Sequence, residues 1–373
     1  MKRLKVGVVG VGHLGQHHAR ILAAMPEVEL VAVADSRLEQ AQNVADRFGT
    51  RAVRDYHELM DRIDAVSIAV PTVLHREVAG AFLSRGISAM VEKPLASSLV
   101  EAEQLVSLSH SRGALLQVGH IERYNPALSA LQQAPIRPKY ITAERLSTYT
   151  FRSVDIGVVL DLMIHDIDLV LSLVSAQVRS VASVGVSLFG EHEDVANARI
   201  EFEDGTIANL TASRASYAAL RKMRIWGSEG YASLDFAAKS ATLVHPSDEF
   251  LRGEVELEPP SRFEPVAVKE HLFGKVLRVD KLQTTGREPL ALELEDFVHA
   301  VRSQNRPRVS GDDALRAMRL ADQVLKGLNA HRWDGEPAAA QVPSHPGDAS
   351  SVLRGPHAWR IKSLRQSVRH SEH

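Results

Sequence analysis

Asp161 and His165 stand four residues apart and Asp168 lies three further on. On a helix these three share one face while Asp166 points elsewhere. The surrounding stretch from Ile156 to Val174 is rich in Leu, Met, Ile and Val. Placing carboxylates and an imidazole on a helix apolar enough to be buried is costly unless they are paired or put to use. An imidazole beside carboxylates is the residue set of general acid–base chemistry near neutral pH. Two plainer roles stay open, a polar stripe facing solvent or a histidine satisfied in the core. Asp and His at this spacing could also hold a divalent ion, but no third cluster with ligand spacing lies nearby, so no metal is expected.

Lys93 is the second reactive candidate. It follows the apolar run Ser88 to Val91 and is flanked by Glu92 and Pro94. Proline restricts the backbone of the residue before it, which gives the lysine a defined direction. A surface lysine beside a turn is the alternative. Two other apolar runs end in polar loops, one in Val70-Pro71-Thr72 with His75, the other in Gly119-His120 with Arg123-Tyr124-Asn125-Pro126.

The elements that must position these groups are legible from the start of the chain. From residue 1 to about 120, short apolar runs (Val28 to Ala34, Ala65 to Val70, Ser88 to Val91, Ala114 to Val118) alternate with amphipathic segments (Leu38 to Phe48, Arg76 to Arg85, Leu99 to Arg112). This is the rhythm of an α/β Rossmann fold, a doubly wound parallel sheet. Such sheets bind ligands at the carboxyl ends of their strands, where the three loops fall. Lys5 to Asp35 reads as one nucleotide-binding unit: a strand, the turn Gly10-Val11-Gly12-His13-Leu14-Gly15, a helix, and a second strand ending in an acid. Gly10 permits the turn, Gly12 lets backbone approach a pyrophosphate, and Gly15 brings the helix close to the strand. The helix N-terminus offers N–H groups and positive dipole to the phosphates. Asp35, twenty residues past Gly15, is placed to accept hydrogen bonds from ribose hydroxyls and to repel a 2′-phosphate, so NAD is favoured over NADP. Arg37 could reach such a phosphate but reads more simply as a solvated helix-start residue.

After Tyr124-Asn125-Pro126 the rhythm changes. The long apolar helix from Ile156 to Val174 is followed by runs with strand character (Val178 to Leu188, Ala196 to Phe202, Thr206 to Ala212, Met223 to Trp226, Tyr231 to Phe236, Ala241 to Val244). This half reads as an α+β domain with a mostly antiparallel sheet and a helix on one face. Helices Leu290 to Ser303 and Gly311 to Leu328 close it. The expected organisation is a nucleotide-binding domain over 1–123, a substrate-binding and oligomerisation domain over 124–332, and a disordered tail over 333–373, rich in Ala, Pro, Ser, Gly and His.

Composition sets limits on partners. The 373 residues are 45% hydrophobic, enough for two cores. A formal net charge of −2 gives no footprint for nucleic acid or an anionic membrane. No cysteine is present, which removes disulfides, thiolate metal sites and cysteine nucleophiles and suits a reducing cytoplasm, the expected compartment. Met1-Lys2-Arg3 ahead of valines is only superficially like a secretory signal, because Gly7, Gly10 and Gly12 break the apolar run. No apolar stretch approaches the roughly 20 residues that span a bilayer.

Taken in order, Gly10-x-Gly12-x-x-Gly15, Pro71-x-x-x-His75, Glu92-Lys93-Pro94-Leu95 and Asp161-x-x-x-His165 resemble the Gfo/Idh/MocA family of NAD(P)-dependent sugar and inositol oxidoreductases. The likeness runs from residue 1 to about 330 and includes Glu288-Pro289-Leu290 to Phe297, Arg306-Pro307 and Ser310-Gly311. It implies that Lys93, Asp161 and His165 are catalytic. His165 would take the proton of a substrate hydroxyl, Lys93 would stabilise the developing alkoxide, and Asp161 would orient or tune the pair. It also implies a cofactor site of Gly10, Gly12, His13, Leu14, Gly15, Asp35, Arg37, Val70, Pro71, Thr72, His75, Glu92, Lys93 and Gly119, and a cis Lys93-Pro94 bond. Val70, Thr72 and His120 depart from the residues common in the family.

Within the family, Gly119 to Pro126 and Leu160 to Asp168 look most like members that oxidise the 3-hydroxyl of UDP-N-acetylglucosamine on the way to 3-amino sugars of lipid A-type glycolipids. On that reading Arg123, Asn125, Arg145 and Arg214 join Lys93, Asp161 and His165 as substrate ligands, the arginines suiting a pyrophosphate. An inositol or free-sugar dehydrogenase, a glycosidase that holds NAD permanently, and a non-catalytic NAD-binding scaffold are the competing readings. An open antiparallel sheet face calls for cover, so a homodimer or homotetramer through roughly 175–245 is expected.

Overall fold

The structure, a computed structural model, describes residues 2–132, 134–149, 156–189, 191–255, 257, 265–284, 286–331 and 353–354. Its contacts divide the chain into two units, 1–124 with 287–322, and 125–286 with 323–373.

In the first unit six strands, β1 (Leu4–Val9), β2 (Val28–Ala34), β3 (Arg51–Val53), β4 (Ala65–Ile68), β5 (Ser88–Glu92) and β6 (Leu116–Gly119), form a parallel sheet in the order β3-β2-β1-β4-β5-β6. Helices Gly15–Ala24, Leu38–Phe48, His75–Leu83 and Leu99–Arg112 alternate with the strands. Because helices cover both faces, the strands are almost continuously apolar: every residue of β4 and β6 is buried. The strand order reverses between β1 and β4, which opens a crevice outside their carboxyl ends. β3 is three residues long and its sequence, Arg-Ala-Val, carries too little apolar pattern to be anticipated.

By these contacts residues 287–322 group with the first unit, where the sequence placed them with the second. The reason is the apolar face of helix Pro289–Ser303. Its Leu294, Phe297, Val298 and Val301 pack into the same core as Val6, Val8, Ala19 and Leu22.

The second unit is a nine-stranded sheet made of β7 (Tyr140–Leu146), β8 (Val178–Ser187), β9 (Val195–Phe202), β10 (Ile207–Ser213), β11 (Leu220–Gly227), β12 (Gly230–Asp235), β13 (Ser240–Pro246), β14 (Leu277–Leu282) and β15 (Leu353–Arg354). Their order is β14-β13-β12-β11-β7-β10-β9-β8-β15, and all neighbours are antiparallel except β10 with β7 and β15 with β8. Period-two alternation divides the faces. Ala196, Ala198, Ile200 and Phe202 of β9 are buried, while Asn197 and Arg199 are exposed between them. Helix Ile164–Leu173 packs on β7 and β10. The expected tail lies outside the described residues apart from β15, which runs beside Val186 and Ser187 of β8. No helix among the described residues is long and apolar enough to cross a membrane.

Candidate functional site

The candidate residues fall in both units, one set in each. In the first, the turn after β1 is shaped by what its glycines lack. Gly10 has a φ of +81°, and a Cβ there would come within 2.7 Å of the Ala69 carbonyl oxygen. A Cβ at Gly15 would run into the Gly10 carbonyl oxygen, so the helix starts hard against the turn. Gly12 is the converse case, since a Cβ there would meet no atom within 4 Å and would only fill open space. No side chain caps helix Gly15–Ala24, which leaves its positive end to an anion.

Asp35 is tied to this turn. Its Oδ2 accepts the Val11 N–H at 3.0 Å and its Oδ1 the Arg37 N–H at 3.0 Å, while Gln40 Nε2 donates to the Val11 carbonyl oxygen at 2.9 Å. The Arg37 side chain stands in solvent, its Nε 3.8 Å from Asp35. Among the described residues of this unit, the large apolar side chains left exposed are Leu14, Leu38, Val73, Leu74 and Val100. Each follows the carboxyl end of a strand, the edge at which such sheets take ligands. These residues fit NAD(P).

Lys93 is half-buried directly after β5, and its bond to Pro94 is cis. Glu92 reaches back under it: Glu92 Oε2 accepts the Lys93 N–H at 3.2 Å, and Oε1 lies 3.1 Å from Nε2 of His18. Nδ1 of His18 is in turn 2.7 Å from Ser67 Oγ on β4. Burial opposes ionisation of Glu92, but the hydrogen bond and charge of His18 and the charge of Lys93 outweigh it, and the carboxyl sits below its ordinary value. Gly119 is glycine here because a Cβ would stand 2.9 Å from Glu92 Oε2. It makes room for the carboxylate.

His75 departs from its expected role. It is buried, with Nδ1 2.9 Å from the Pro94 carbonyl oxygen and Nε2 3.0 Å from that of Val70. Both ring nitrogens therefore face the protein, and the ring ties the loop after β4 to the loop after β5 instead of reaching a cofactor. Burial lowers its pKa despite the two carbonyls, so the ring is neutral and donates to one of them at a time. Val70, Pro71 and Thr72 lead into a short 3₁₀ turn, Thr72–Leu74, at the rim of the same crevice.

In the second unit the helix bearing Asp161 and His165 is not uniform. It opens with a π-helical turn, Val159–Met163, and continues as an α-helix over Ile164–Leu173. Wide turns of this kind recur at functional sites. Asp161 is half-buried, while His165 and Asp168 are buried. The start of the turn is held from a distance: Glu193 Oε1 accepts the Val159 N–H at 3.0 Å, and a Cβ on Gly157 would collide with the Glu193 carboxylate. Burial raises the Glu193 pKa.

Three expected substrate ligands are committed elsewhere. Arg145 is buried and grips Asp166 with both edges of its fork, Nε to Oδ2 at 3.0 Å and Nη2 to Oδ1 at 2.8 Å. Arg214 donates from Nε to Asp194 at 2.8 Å and from Nη1 to the Ile156 carbonyl oxygen at 2.8 Å. Asn125 caps helix Pro126–Leu131 with its Oδ1 and donates from Nδ2 to the Phe236 carbonyl oxygen at 3.0 Å. These groups hold the scaffold and are not disposed for a pyrophosphate. Arg123 is half-buried, with Nη2 3.3 Å from the Arg308 carbonyl oxygen.

Sequence reasoning missed His18, Ser67, Glu193 and Asp194. His18 left a signal, a polar residue among Ala19, Ile21 and Leu22 on the buried side of its helix, which demands a partner. Glu193 and Asp194 left none, since Glu191-His192-Glu193-Asp194 reads as a solvated turn.

Comparison with known proteins matches a segment of each unit to a family model. Residues 4–120 match the model of the oxidoreductase family with an NAD-binding Rossmann fold, and residues 136–233 match that of the GFO/IDH/MocA C-terminal domain. The UDP-N-acetylglucosamine 3-dehydrogenase of Acidithiobacillus ferrooxidans is 36% identical over 331 residues, covering 88% of this chain and 99% of that one. Its solved structure matches with a TM-score of 0.77 at 34% identity, over 88% of this chain and 98% of that one. The myo-inositol 2-dehydrogenase of Thermotoga maritima is 25% identical over 349 residues, 88% of this chain and 97% of that one. A 3-ketoreductase of Actinomadura kijaniata, solved with TDP-benzene and NADP, shares the fold at a TM-score of 0.70 and 24% identity, over 87% of this chain and 98% of that one.

Proposed function

This chain belongs to the Gfo/Idh/MocA oxidoreductase family, and on that premise we propose that it uses NAD to oxidise the 3-hydroxyl of UDP-N-acetylglucosamine to the 3-keto sugar. The observation that carries the reading is the carboxyl edge of the first sheet, where an open glycine turn, Asp35 bonded to that turn and Lys93 on the half-buried Glu92 carboxylate occur together. The bound nicotinamide supplies the hydride acceptor. Lys93 donates a hydrogen bond to the substrate oxygen and stabilises its developing charge. His165 accepts the hydroxyl proton, and Asp161 orients the pair. Asp35 selects NAD by accepting from the ribose hydroxyls where a 2′-phosphate would be repelled.

Choice of sugar rests on the 36% identical relative. The inositol reading is the second, supported by the 25% identical relative. With Arg145 and Arg214 committed to Asp166 and Asp194, a pyrophosphate has Arg123 as its remaining candidate among the four named ligands. The test is a panel of UDP-sugars, inositols and free hexoses incubated with NAD. Net NADH with UDP-N-acetylglucosamine supports the first reading and NADH with inositol the second; sugar release without NADH would mean a glycosidase, and no turnover of any kind would favour a scaffold. We further propose that a second copy covers the outer sheet face, where Tyr140, Trp226 and Tyr231 stack at 5.1 and 6.1 Å. A monomer by sedimentation would remove that surface from consideration.

A further inference from the structure

His18 stands one turn into the helix that follows the glycine turn and is completely buried. Its two ring nitrogens join three strand ends of the nucleotide sheet: Nδ1 lies 2.7 Å from Ser67 on β4, Nε2 lies 3.1 Å from Glu92 closing β5, and Glu92 is pressed from the β6 side by Gly119. A carboxylate only accepts, so Nε2 must carry a proton; the Ser67 hydroxyl can rotate to donate to Nδ1 or to accept from it. The second oxygen of Glu92 holds the Lys93 N–H at 3.2 Å. An unbroken line of hydrogen bonds thus runs from Ser67 through His18 and Glu92 to the main chain of Lys93.

We propose that His18 is a positioning residue for Lys93, acting through Glu92, and so couples the helix that receives the dinucleotide phosphates to the lysine that meets the substrate. This rests on the reading of Lys93 as a reacting group. A histidine that merely filled the core would tolerate any apolar side chain of similar bulk. A positioning histidine needs its Nε2 donor, which glutamine can supply and asparagine, one carbon shorter, cannot. The titratable and charged groups facing His18 and Glu92 are each other, Lys93 on the same loop as Glu92, and His75 on the neighbouring helix, whose ionisation Glu92 influences.

The experiment compares His18→Gln, His18→Asn and His18→Leu by NADH formation from UDP-N-acetylglucosamine, by NAD binding, and by thermal unfolding, with Lys93→Met alongside. His18→Gln is expected to stay within about threefold of the parent, whereas His18→Asn and His18→Leu lose about 30-fold in kcat with NAD affinity within about twofold. Equal turnover in all three, or a loss of NAD affinity that matches the loss of kcat, overturns the proposal. Should His18→Leu fail to fold, the glutamine and asparagine pair decides alone. Turnover surviving in Lys93→Met would instead refute the site reading, a different failure. A second arm needs no substrate: nitrogen-15 NMR of the imidazole should show His18 protonated on Nε2, and a bare Nε2 overturns the proposal.

Discussion

The two sets of candidate residues, one half in each unit, are built by different means. The nucleotide half is made of backbone: glycines without Cβ atoms, an uncapped helix end, and an acid held by main-chain N–H groups. The half around Asp161 and His165 is made of buried charge, with Arg145 on Asp166, Arg214 on Asp194, and Glu193 on the first N–H of the π-helical turn. A backbone site can lose a ligand contact and keep its fold. A site resting on buried ion pairs cannot, because removing one partner leaves the other uncompensated. Substitutions should therefore separate binding from stability in the first half and join them in the second.

The largest effect belongs to the buried pairs. Arg145→Met is expected to lower unfolding free energy by about 3 to 5 kcal/mol in urea titration, and adding Asp166→Leu should restore most of it. A loss under about 1 kcal/mol, the range of exposed pairs, would mean that this half does not depend on its ion pairs. Next come the groups proposed to react. Lys93→Met and His165→Ala should each lower turnover by about 10² to 10⁴-fold with NAD binding retained. They should differ in stability: the buried imidazole costs about 1 to 3 kcal/mol to remove, whereas Lys93→Met stays within about 0.5 kcal/mol. Equal stability losses would erase the contrast between the halves.

The same contrast explains how far the sequence could be read. Gly10, Gly12, Gly15 and Asp35 act within one strand–turn–helix–strand unit, so their spacing alone carries the geometry. The parallel sheet was legible for a related reason, because its buried strands are short runs of mostly apolar residues. The ion pairs were not, since Arg145 meets Asp166 and Arg214 meets Asp194 across about twenty residues of chain whose fold must be known first. An arginine at a strand end looks the same in sequence whether it faces a cleft or a carboxylate. Helix Pro289–Ser303 misled for a similar reason: its amphipathic face is plain, but nothing in it says which core it enters.

Asp35→Ala probes the backbone half with a smaller expected effect. Loss of a hydrogen bond to a charged group should weaken NAD by about 1.5 to 3 kcal/mol in titration calorimetry and narrow the preference over NADP. Because Asp35 also braces the Val11 and Arg37 amides, unfolding should be measured beside it. An unchanged preference would deny Asp35 its ribose role.

His75 gives the finest test, since it is a buried titratable group whose two partners are backbone carbonyls. Its ring binds the carbonyls of Val70 and Pro94, and burial holds its pKa below the ordinary 6.5. The unfolded chain therefore takes up this proton before the folded one does. The contribution of His75 to stability is complete above pH 6.5 and declines as pH falls from there through the lowered folded value. His75→Gln keeps a donor for one carbonyl and cannot titrate. Comparing urea midpoints at about pH 7.5 and about pH 5.5, the parent should lose more stability than the variant. Equal losses would show that the ring is free to protonate in place, as the two facing carbonyls alone would allow, and the loops after β4 and β5 would then be joined by a charged clamp instead of a neutral one.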